Sequence, residues 1–337
     1  MAAVKISHFI NQALFNKDSG YYLKRNPFAD FVTAPEISQV FGELLAAYLL
    51  EISSAKKSKI SLVEMGAGKG TLFFDILSSI KKLAEKNIAP AVDFIERATF
   101  HIIEINEVLK KIQQEKLHKF DVKWYENFDE FLVQKHGEIF FISNELFDCF
   151  PIDQFVKTDI GWCERLVDGE KFILANFDPK IHQFVEENLG VAQSESAPFG
   201  AVFERSESAQ AFMSKLCEAL KNQGGIAINF DYGYYKTEFA NTLQAIKNHQ
   251  KVDALSNVGE ADITAHVDFF ALEKIAKNSL LNSSLISQRD FLISLGIEER
   301  RQKLLQENPA AEINSAIDRL IGFDQMGELF KCLILWK

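Results

Sequence analysis

Three alternate glycines follow an acidic residue in the segment EMGAGKG at residues 64–70. Glycine lets the chain turn sharply and lets a ligand lie directly against the backbone. Gly66 is suited to the turn itself, and Gly68 to the close approach of a ligand. Gly70 allows close packing of the helix that begins at Thr71, whose amino end offers free N–H groups and partial positive charge. The segment is therefore typical of a turn that binds a cofactor.

The spacing of these glycines distinguishes two classes of cofactor. A nicotinamide or flavin enzyme prefers G-x-G-x-x-G, which would need glycine at position 71, where this chain has threonine. The observed G-x-G-x-G, with a carboxylate two residues upstream, favours S-adenosylmethionine, which has an amine, a carboxylate, a ribose and a sulfonium but no pyrophosphate. The predicted cofactor-binding residues of this turn are Glu64, Gly66, Ala67, Gly68 and Gly70. A tight strand-to-helix turn without a ligand is the alternative.

A second carboxylate is expected at the end of the next strand, where acids of dinucleotide-binding folds bind both ribose hydroxyls. Glu104, which closes the segment FHIIE, is the candidate. Its distance along the chain from the glycines exceeds the usual ~20 residues. We attribute the difference to a long first helix and to a loop, KNIAPAVDFIER. An exposed glutamate at a strand end is the alternative.

Polar residues also follow the strand in IFFISNELFDCFP, at the edge where open α/β sheets bind ligands. Methyl transfer requires a nucleophile aligned with the sulfonium carbon, so positioning matters more than acid–base strength. If the nucleophile is a guanidinium, Glu145 and Asp148 can hold its planar fork and withdraw charge from the reacting nitrogen. Asn144 can reach the methionine amine or the substrate. Alternatively, the two acids belong to the first turn of a helix.

Another carboxylate, Asp231, ends a predicted strand in the segment INFDYGY. We predict that it joins the same edge as a catalytic residue, although Asp-Tyr-Gly also makes an ordinary turn. No metal site is expected, because no histidine lies near a cysteine at the spacing of metal ligands. The four cysteines are far apart and are expected to be reduced, packed thiols.

These side chains can meet only on a regular scaffold, and the sequence from Lys59 onward has the pattern of one. Short apolar strands alternate with helices that are expected at residues 71–86, 107–116 and 207–221. The pattern predicts an α/β fold with a doubly wound, mostly parallel sheet and right-handed crossovers. The strands of that sheet end at the carboxylates described above.

The remaining segments define the expected domain organisation. Residues 1–58 are predicted to form a helical N-terminal segment that packs on the core, and 59–337 a single domain. Within that domain an insertion is expected at about 151–203, with a hairpin near Asp168, and helical additions at about 235–325. The apolar segment FKCLILW then predicts a final strand.

The N-terminal segment contains one helix with a marked start. Thr33 and Glu36 fit a capping box, with Pro35 in the first turn. Apolar residues then recur at helical spacing as far as Ile52, which predicts a continuous amphipathic helix that packs on another element.

Length and composition narrow the class of protein. The chain has 337 residues, 47% of them hydrophobic, and thirty are phenylalanine, which is typical of a globular protein. The formal net charge of -10, with lysine and arginine scattered among acids, argues against nucleic acid as a partner and suits a basic substrate. No apolar run reaches the roughly 18 residues of a membrane span, and the start lacks the features of a signal or transit peptide. We therefore expect a cytoplasmic protein without a membrane span.

Together these segments resemble the MidA-like methyltransferase family, whose mitochondrial members are respiratory complex I assembly factors. The resemblance covers nearly the whole chain and is carried, in order, by SGYYL, DFVTAPEISQVFGELLAAYLLE, LVEMGAGKGTL, HIIEIN, SNELFDCFPIDQFV, INFDYGY, GEADITAHVDF and MGELFKCLIL. Departures are minor: Met65-Gly66-Ala67 stands where relatives often have Leu-Gly-Pro, and Lys69 where they often have arginine.

The resemblance implies a class I, Rossmann-like methyltransferase fold, with S-adenosylmethionine bound by residues that match the family's motifs: Glu64, Gly66, Gly68, Gly70 and Glu104. It implies arginine methylation of a complex I core subunit for mitochondrial members and leaves the substrate of bacterial members open. The family resemblance also suggests a role for the N-terminal helix. Gly42 lies in the middle of this helix, where glycine lowers helix stability by about 0.5 to 1 kcal/mol relative to alanine. We predict that Gly42 and Glu43 adjoin the cofactor site.

Three functions follow as hypotheses. The first is a methyltransferase that modifies an arginine of a protein partner, with Glu145, Asp148 and Asp231 as catalytic residues. The second is an assembly chaperone that retains the cofactor-binding fold and holds a client subunit. The third is a small-molecule methyltransferase, which an enclosed pocket over the strand ends would favour over an open acidic groove. The oligomeric state is left open, and a homodimer is compatible with the sequence.

Overall fold

The structure is a computed structural model, and it describes residues 3–24, 33–134, 137–307 and 311–337. The chain folds into two compact units. Unit one comprises Met1–Asp30, Phe147–Met213 and Tyr234–Leu272, and unit two comprises Phe31–Leu146, Ser214–Gly233 and Glu273–Lys337.

The helices within the described ranges are α1 (Ile6–Phe15), α2 (Tyr21–Lys24), α3 (Ala34–Ile37), α4 (Gln39–Ser54), α5 (Thr71–Glu85), α6 (Ala89–Arg97), α7 (Glu107–Lys116), α8 (Phe128–Val133), α9 (Pro179–Leu189), α10 (Val191–Ser196), α11 (Glu207–Gln223), α12 (Phe269–Asn278), α13 (Gln288–Ser294), α14 (Ile297–Glu307), α15 (Ala311–Ile321) and α16 (Met326–Leu329).

The strands in the same ranges are β1 (Val4–Lys5), β2 (Ile60–Met65), β3 (Ala98–Ile103), β4 (Val122–Tyr125), β5 (Glu138–Asn144), β6 (Asp153–Thr158), β7 (Gly161–Asp168), β8 (Lys171–Leu174), β9 (Val202–Arg205), β10 (Gly225–Tyr234), β11 (Gln244–Lys247), β12 (Gln250–Val252), β13 (Asp262–Thr264), β14 (Val267–Asp268), β15 (Asn282–Ser287) and β16 (Phe330–Trp336).

Unit two is built on a sheet with the strand order β15-β16-β10-β5-β2-β3-β4. The pairs β10/β5, β5/β2, β2/β3 and β3/β4 are parallel, whereas β16 runs antiparallel to β10 and β15. Strands β2 and β5 are buried along nearly their whole length, which explains their continuous apolar sequences. The prediction of a doubly wound, mostly parallel sheet is confirmed.

The apolar stripe of α4 packs into the core of unit two. Phe41 meets Phe230 of β10 with ring centroids 5.1 Å apart, and Phe230 meets Phe291 of α13 at 5.3 Å. Tyr48 lies edge-on against the same Phe291 at 5.4 Å. Aromatic pairs in this geometry add to the hydrophobic gain from burial. The stripe therefore fixes α4 on the sheet, as its helical spacing predicted.

The start of this helix differs from the prediction. Thr33 makes no side-chain capping bond, and the helix breaks at Ser38, whose backbone is extended. The Ser38 hydroxyl accepts from the Val40 N–H at 3.3 Å and so caps α4. The Glu36 carboxylate instead accepts from the Thr71 hydroxyl at the start of α5. The predicted capping box is wrong, because serine caps a second helix and the glutamate is drawn to another element.

A second difference concerns the segment KNIAPAVDFIER, which we expected as a loop and which contains α6. Pro90 lies in the first turn of this helix, where its missing N–H is not needed. Ala91 and Phe94 are buried in the core of unit two. Burial of this short apolar face stabilises a helix whose sequence signal is weak.

Unit one contains antiparallel sheets. One has the order β1-β7-β6-β9, with β8 also paired to β7, and Gly169 makes the β7–β8 hairpin turn at a φ of 61°. The other has the order β12-β11-β13 and occupies residues that we expected to be helical. Its β11–β12 turn consists of Asn248 and His249 at φ values of 52° and 61°, which matches a tight hairpin turn. The helical prediction for 235–325 is therefore wrong over 244–264.

The N-terminal segment also divides differently from the prediction. Helix α1 buries Ile6, Ile10 and Leu14 in a cluster with Ile152 and other residues of unit one. Helices α3 and α4 belong to unit two. Residues 1–58 thus contribute to both units, because their two apolar faces pack in different cores. The start of the family motif DFVTAPE, at 30–32, lies outside the described residues.

The structure also bears on the expectations for the cysteines and for membrane-spanning helices. The four cysteines are present as thiols rather than disulfides, and Cys163, Cys217 and Cys332 are buried. Burial raises the pKa of the Cys217 thiol to about 11 and that of Cys332 well above its ordinary value. Over the described parts of the chain, no helix combines the length and the apolarity that crossing a membrane requires.

Candidate active site

The predicted site residues of unit two gather at the carboxyl edge of its sheet. The strand order reverses at β2, which has β3 on one side and β5 on the other. In open α/β sheets, ligands bind at such a switch point. Glu64 lies opposite Ile102 of β3 and Ile142 of β5, so the turn after β2 lies between the ends of both neighbours.

The glycine turn has a backbone that other residues would strain. Gly66, Gly68 and Gly70 have φ values of 72°, 55° and 73°, in the left-handed region that favours glycine. The Gly66 N–H donates to the Ile103 carbonyl at 3.1 Å, and the Gly70 N–H to the Ala67 carbonyl at 2.7 Å. A Cβ atom at Gly70 would lie 3.3 Å from the Gln113 side chain. The turn thus combines backbone curvature with close packing, and Gly70 provides the latter.

Glu64 is a buried carboxyl with one unused oxygen. It is 2% exposed, and it accepts from the Phe73 N–H in the first turn of α5. Its Oε2 atom has no hydrogen-bond partner among the described residues. Burial raises its pKa to about 8, the nearby Glu104 raises it further, and the Phe73 N–H and Lys116 oppose the shift. A buried acceptor in this state is suited to a ligand that brings a donor or a positive charge.

This raised pKa predicts how Glu64→Gln changes stability. Between about pH 4.5 and about pH 8 the folded state holds the Glu64 proton more tightly than the unfolded state, so ionisation destabilises the fold as pH rises. We expect the wild-type protein without cofactor to lose up to about 1.4 kcal/mol per pH unit from this group. Glutamine cannot ionise. In urea unfolding from about pH 5 to about pH 8, the free energy of unfolding of the variant should rise relative to that of the wild type as pH rises. The same pH dependence in both proteins would contradict the raised pKa of Glu64.

Glu104 is also buried rather than exposed at the strand end. Its Oε1 accepts from the Asn106 N–H at 2.8 Å, and its Oε2 from the Gln113 amide at 2.9 Å. Burial raises its pKa to about 7, while these hydrogen bonds and one from the Ile105 N–H oppose the shift. The carboxylate is thus oriented by fixed donors at the end of β3.

Gln113 is the residue of this site that sequence analysis missed. Its amide donates to the Gly68 carbonyl at 2.8 Å as well as to Glu104. A signal was available: Leu109, Gln113 and Leu117 recur every four residues, so the glutamine lies on the buried face of α7. A polar residue in such a stripe must find partners.

The end of β5 carries a strained backbone. Glu145 has a φ of 53°, uncommon for a residue with a side chain, and its N–H donates to the Phe230 carbonyl of β10 at 2.9 Å. The Asn144 amide donates to Glu145 Oε1 at 3.1 Å, and the buried Asn144 Oδ1 has no partner among the described residues. No helix begins within 145–150, so the alternative of first-turn helix acids is wrong. Such strain, about 1 to 3 kcal/mol, concentrates at functional sites.

The other two predicted catalytic acids lie in different units. Asp231 is fully buried in β10, which continues to Tyr234, so the alternative of an ordinary turn is wrong. Its Oδ1 accepts from the N–H of the next residue, Tyr232, at 2.9 Å. Asp148 belongs to unit one, where its carbonyl accepts from the Ala265 N–H at 3.0 Å.

Asp148 has polar neighbours that sequence analysis did not single out. The Tyr22 hydroxyl donates to Asp262 at 2.7 Å, and all three residues are in unit one. Burial raises the Tyr22 pKa well above its ordinary value, and the negative charges of Asp262, Cys149 and Asp148 raise it further. Tyr22 and Asp262 lie in the family segments SGYYL and GEADITAHVDF, which was the available signal.

Gly42 and Glu43 of α4, which we predicted to adjoin the cofactor site, both contact other residues of the protein. A Cβ atom at Gly42 would lie only 2.5 Å from the Asp75 Cβ of α5, so the two helices approach where one has no side chain. Glu43 forms a two-point ion pair with Arg300, at 2.7 Å and 3.3 Å. Contact of Gly42 and Glu43 with the cofactor therefore stays a prediction.

The close crossing predicts that Gly42→Ala destabilises the protein by about 1 to 3 kcal/mol, because the added methyl overpacks the contact with Asp75. Helix propensity alone predicts a gain of about 0.5 to 1 kcal/mol. Ala47→Gly, at an exposed position of the same helix, measures that propensity separately. Denaturant unfolding of both variants is the test, and a stabilised Gly42→Ala would contradict the packing explanation.

Among the described residues, no group of three or more histidine, cysteine, aspartate or glutamate side chains is arranged to hold a metal ion.

Comparison with solved structures defines the class of protein. A structure from Burkholderia thailandensis bound to S-adenosyl-homocysteine matches with a TM-score of 0.78 and 25% identity, over 99% of this chain and 88% of that one. A native structure from the same organism gives a TM-score of 0.79, also at 25% identity, over 99% and 87%. The fold is that of class I methyltransferases, and the preference for S-adenosylmethionine over a nicotinamide is confirmed.

Sequence comparison then gives the family. A family model described as "Putative S-adenosyl-L-methionine-dependent methyltransferase" matches residues 44–286, and the chain belongs to that family. The mitochondrial protein arginine methyltransferase NDUFAF7 of Danio rerio is 31% identical over 97% of this chain and 82% of its own. The Homo sapiens protein of the same name is 28% identical, over 98% and 80%. The resemblance drawn from the motifs is confirmed.

Proposed function

We propose that the protein transfers the methyl group of S-adenosylmethionine to an arginine side chain of a protein partner. One observation carries the proposal: carboxylates lie side by side on four adjacent parallel strands, β3, β2, β5 and β10, at the level where β3, β2 and β5 end. These carboxylates are Glu104, Glu64, Glu145 and Asp231. An edge of this kind suits two cations, the sulfonium of the donor and the guanidinium of the acceptor.

Two unused acceptors support the cofactor half of the proposal. Glu64 and Asn144 lie near the ends of the neighbouring strands β2 and β5. The Glu64 Oε2 and Asn144 Oδ1 atoms are buried and have no hydrogen-bond partner among the described residues. An amine supplies the donors and the charge that such atoms need. We assign the methionine amine to Glu64 and Asn144, the ribose to Glu104, and the cofactor's close approach to residues 66–70, with Ala67 and Gly68 at the centre.

The acceptor half rests on Glu145 and Asp231 in unit two. Asp148 lies in unit one, and its catalytic role stays a prediction from the sequence. When the methyl group moves, an N–C bond forms, the S–C bond breaks, and the nitrogen loses a proton. A carboxylate that accepts a hydrogen bond from the guanidinium orients the nitrogen and favours loss of that proton. The names of the relatives, protein arginine methyltransferases, agree with this acceptor.

The resemblance extends the proposal further. A respiratory complex I-type subunit is the partner that it suggests, and we retain a cytoplasmic location as part of the proposal. The relatives named above are mitochondrial.

Mass spectrometry of methylated peptides from cells with and without this protein tests the proposal. We expect at least one arginine-methylated peptide to disappear in its absence and to return with the wild-type gene. Purified protein with labelled S-adenosylmethionine should then methylate that peptide, but not a copy with lysine in place of the arginine. Equal labelling of the two peptides, or unchanged arginine methylation in cells, would overturn the assignment of the acceptor.

A further inference from the structure

Gln113 of α7 connects three parts of the cofactor edge. It is 0% exposed, and its side chain contacts the glycine turn through Gly68, the end of β3 through Glu104, and β4 through Trp124. Its side-chain carbons also lie closest to the position that a Cβ atom would occupy at Gly70. One side chain thus contacts both structures that flank the predicted ribose position.

The partners determine which way the amide points. The Gly68 carbonyl and the Glu104 carboxylate can only accept hydrogen bonds, and the Trp124 indole N–H can only donate. The Gln113 nitrogen therefore faces the first two, at 2.8 Å and 2.9 Å, and its oxygen faces the indole at 3.0 Å. No other uncharged side chain of this length provides both an acceptor and two donors.

We propose that Gln113 is a positioning residue of the cofactor site, which holds the Glu104 carboxylate at a fixed place relative to the glycine turn. The proposal rests on the role proposed for Glu104 at the ribose. It requires no contact between Gln113 and the cofactor, because the effect acts through Glu104 and Gly68.

The charges around Glu104 give this role a measurable signature. Glu107 of α7 opposes its ionisation. The charge of Glu104 in turn opposes ionisation of Glu64 on β2, which Lys116 favours. The N–H groups of Ile105 and Asn106 and the Gln113 amide favour ionisation. Removing the amide therefore makes Glu104 harder to ionise, and a ribose that needs an ionised acceptor binds well only at higher pH.

Calorimetric titration with S-adenosylhomocysteine across pH tests the proposal in three variants. Gln113→Leu should bind about tenfold or more weakly at neutral pH, as expected for the loss of a hydrogen bond to a charged group. The pH at which its binding is half lost should lie above that of the wild type. Gln113→Glu should show the opposite trend, binding better as pH falls, because a proton shared with Glu104 restores a donor.

Gln288→Leu is the matched control, because Gln288 is also a fully buried glutamine, on α13 of unit two, and its amide donates to the Leu320 carbonyl. It should leave the affinity and its pH dependence as in the wild type. Equal losses in Gln113→Leu and Gln288→Leu, or a Gln113→Leu profile that matches the wild type in a folded protein, would overturn the proposal. Since binding is measured without an acceptor, failure to methylate arginine leaves this result unaffected.

Discussion

Replacing Gly68 with valine should weaken binding of S-adenosylmethionine by about a hundredfold or more. Gly68 has a φ of 55°, where a side chain costs roughly 1 to 2 kcal/mol and a β-branched one costs more. The two methyl groups would also stand where the backbone of such a turn must approach its ligand. A hundredfold change corresponds to about 2.7 kcal/mol, which the clash with the ligand, or the displacement of the turn that relieves it, must supply. Calorimetric titration of the folded variant measures the loss.

Gly169→Val separates backbone strain from loss of the cofactor cradle. Gly169 has a φ of 61°, and a Cβ atom there would have no neighbour within 4 Å, in a hairpin turn of unit one. This variant should lose stability from strain but keep its affinity for the cofactor. Wild-type affinity in a folded Gly68→Val protein would refute the assignment of the turn.

The same variant distinguishes an enzyme from a chaperone that retains the fold. Because Gly68→Val acts at the cofactor turn of unit two, it leaves other surfaces of the protein unchanged. If maturation of a client subunit continues in cells that carry only Gly68→Val, client holding is the function, and methyl transfer is not needed for it.

Glu145→Gln should lower the rate of arginine methylation by about a hundredfold or more, with little change in cofactor affinity. Glutamine keeps an oxygen that accepts from the Asn144 amide, so the local hydrogen bond survives while the charge is lost. Removal of a single electrostatic contact to a reacting group typically costs a factor of about 100 to 1,000. Single-turnover rates and titration with S-adenosylhomocysteine separate the two effects. A rate within about threefold of the wild type would remove Glu145 from the catalytic group.

Glycine at the same position tests whether the strained backbone serves function. Glu145→Gly should stabilise the fold by about 0.5 to 1 kcal/mol through relief of the left-handed φ, and it should be as inactive as the glutamine variant. Leu280→Gly is the control: Leu280 has a φ of 63° and is 82% exposed. It should gain similar stability and keep full activity.

The features that the sequence revealed are those that local chemistry dictates. Glycine adopts the left-handed backbone at 66, 68 and 70 without the strain that a side chain adds, so the turn is visible in the sequence. The apolar strands β2 and β5 are buried throughout, and their carboxyl ends are marked by Glu64 and Asn144. The fold class and the carboxylates of its edge could therefore be predicted without coordinates.

The missed features depend on contacts between distant residues. Gln113 joins Gly68 and Trp124, which no local pattern relates. Helix α6 is stabilised by burial of Phe94, and the sheet over 244–264 by pairing of strands of three or four residues. Asp148 and Glu145 are three residues apart in sequence but belong to different compact units. Tertiary packing overrides local propensity in each case.

The proton on Glu64 links cofactor binding to the surrounding solution. With a pKa of about 8, this carboxyl is largely protonated at neutral pH. A positively charged ligand beside it favours the ionised form, so binding expels a proton into the buffer. The heat of binding should then depend on the ionisation enthalpy of the buffer. The product S-adenosylhomocysteine keeps the amine that we assign to Glu64, so the protein should take the proton back only when the product leaves.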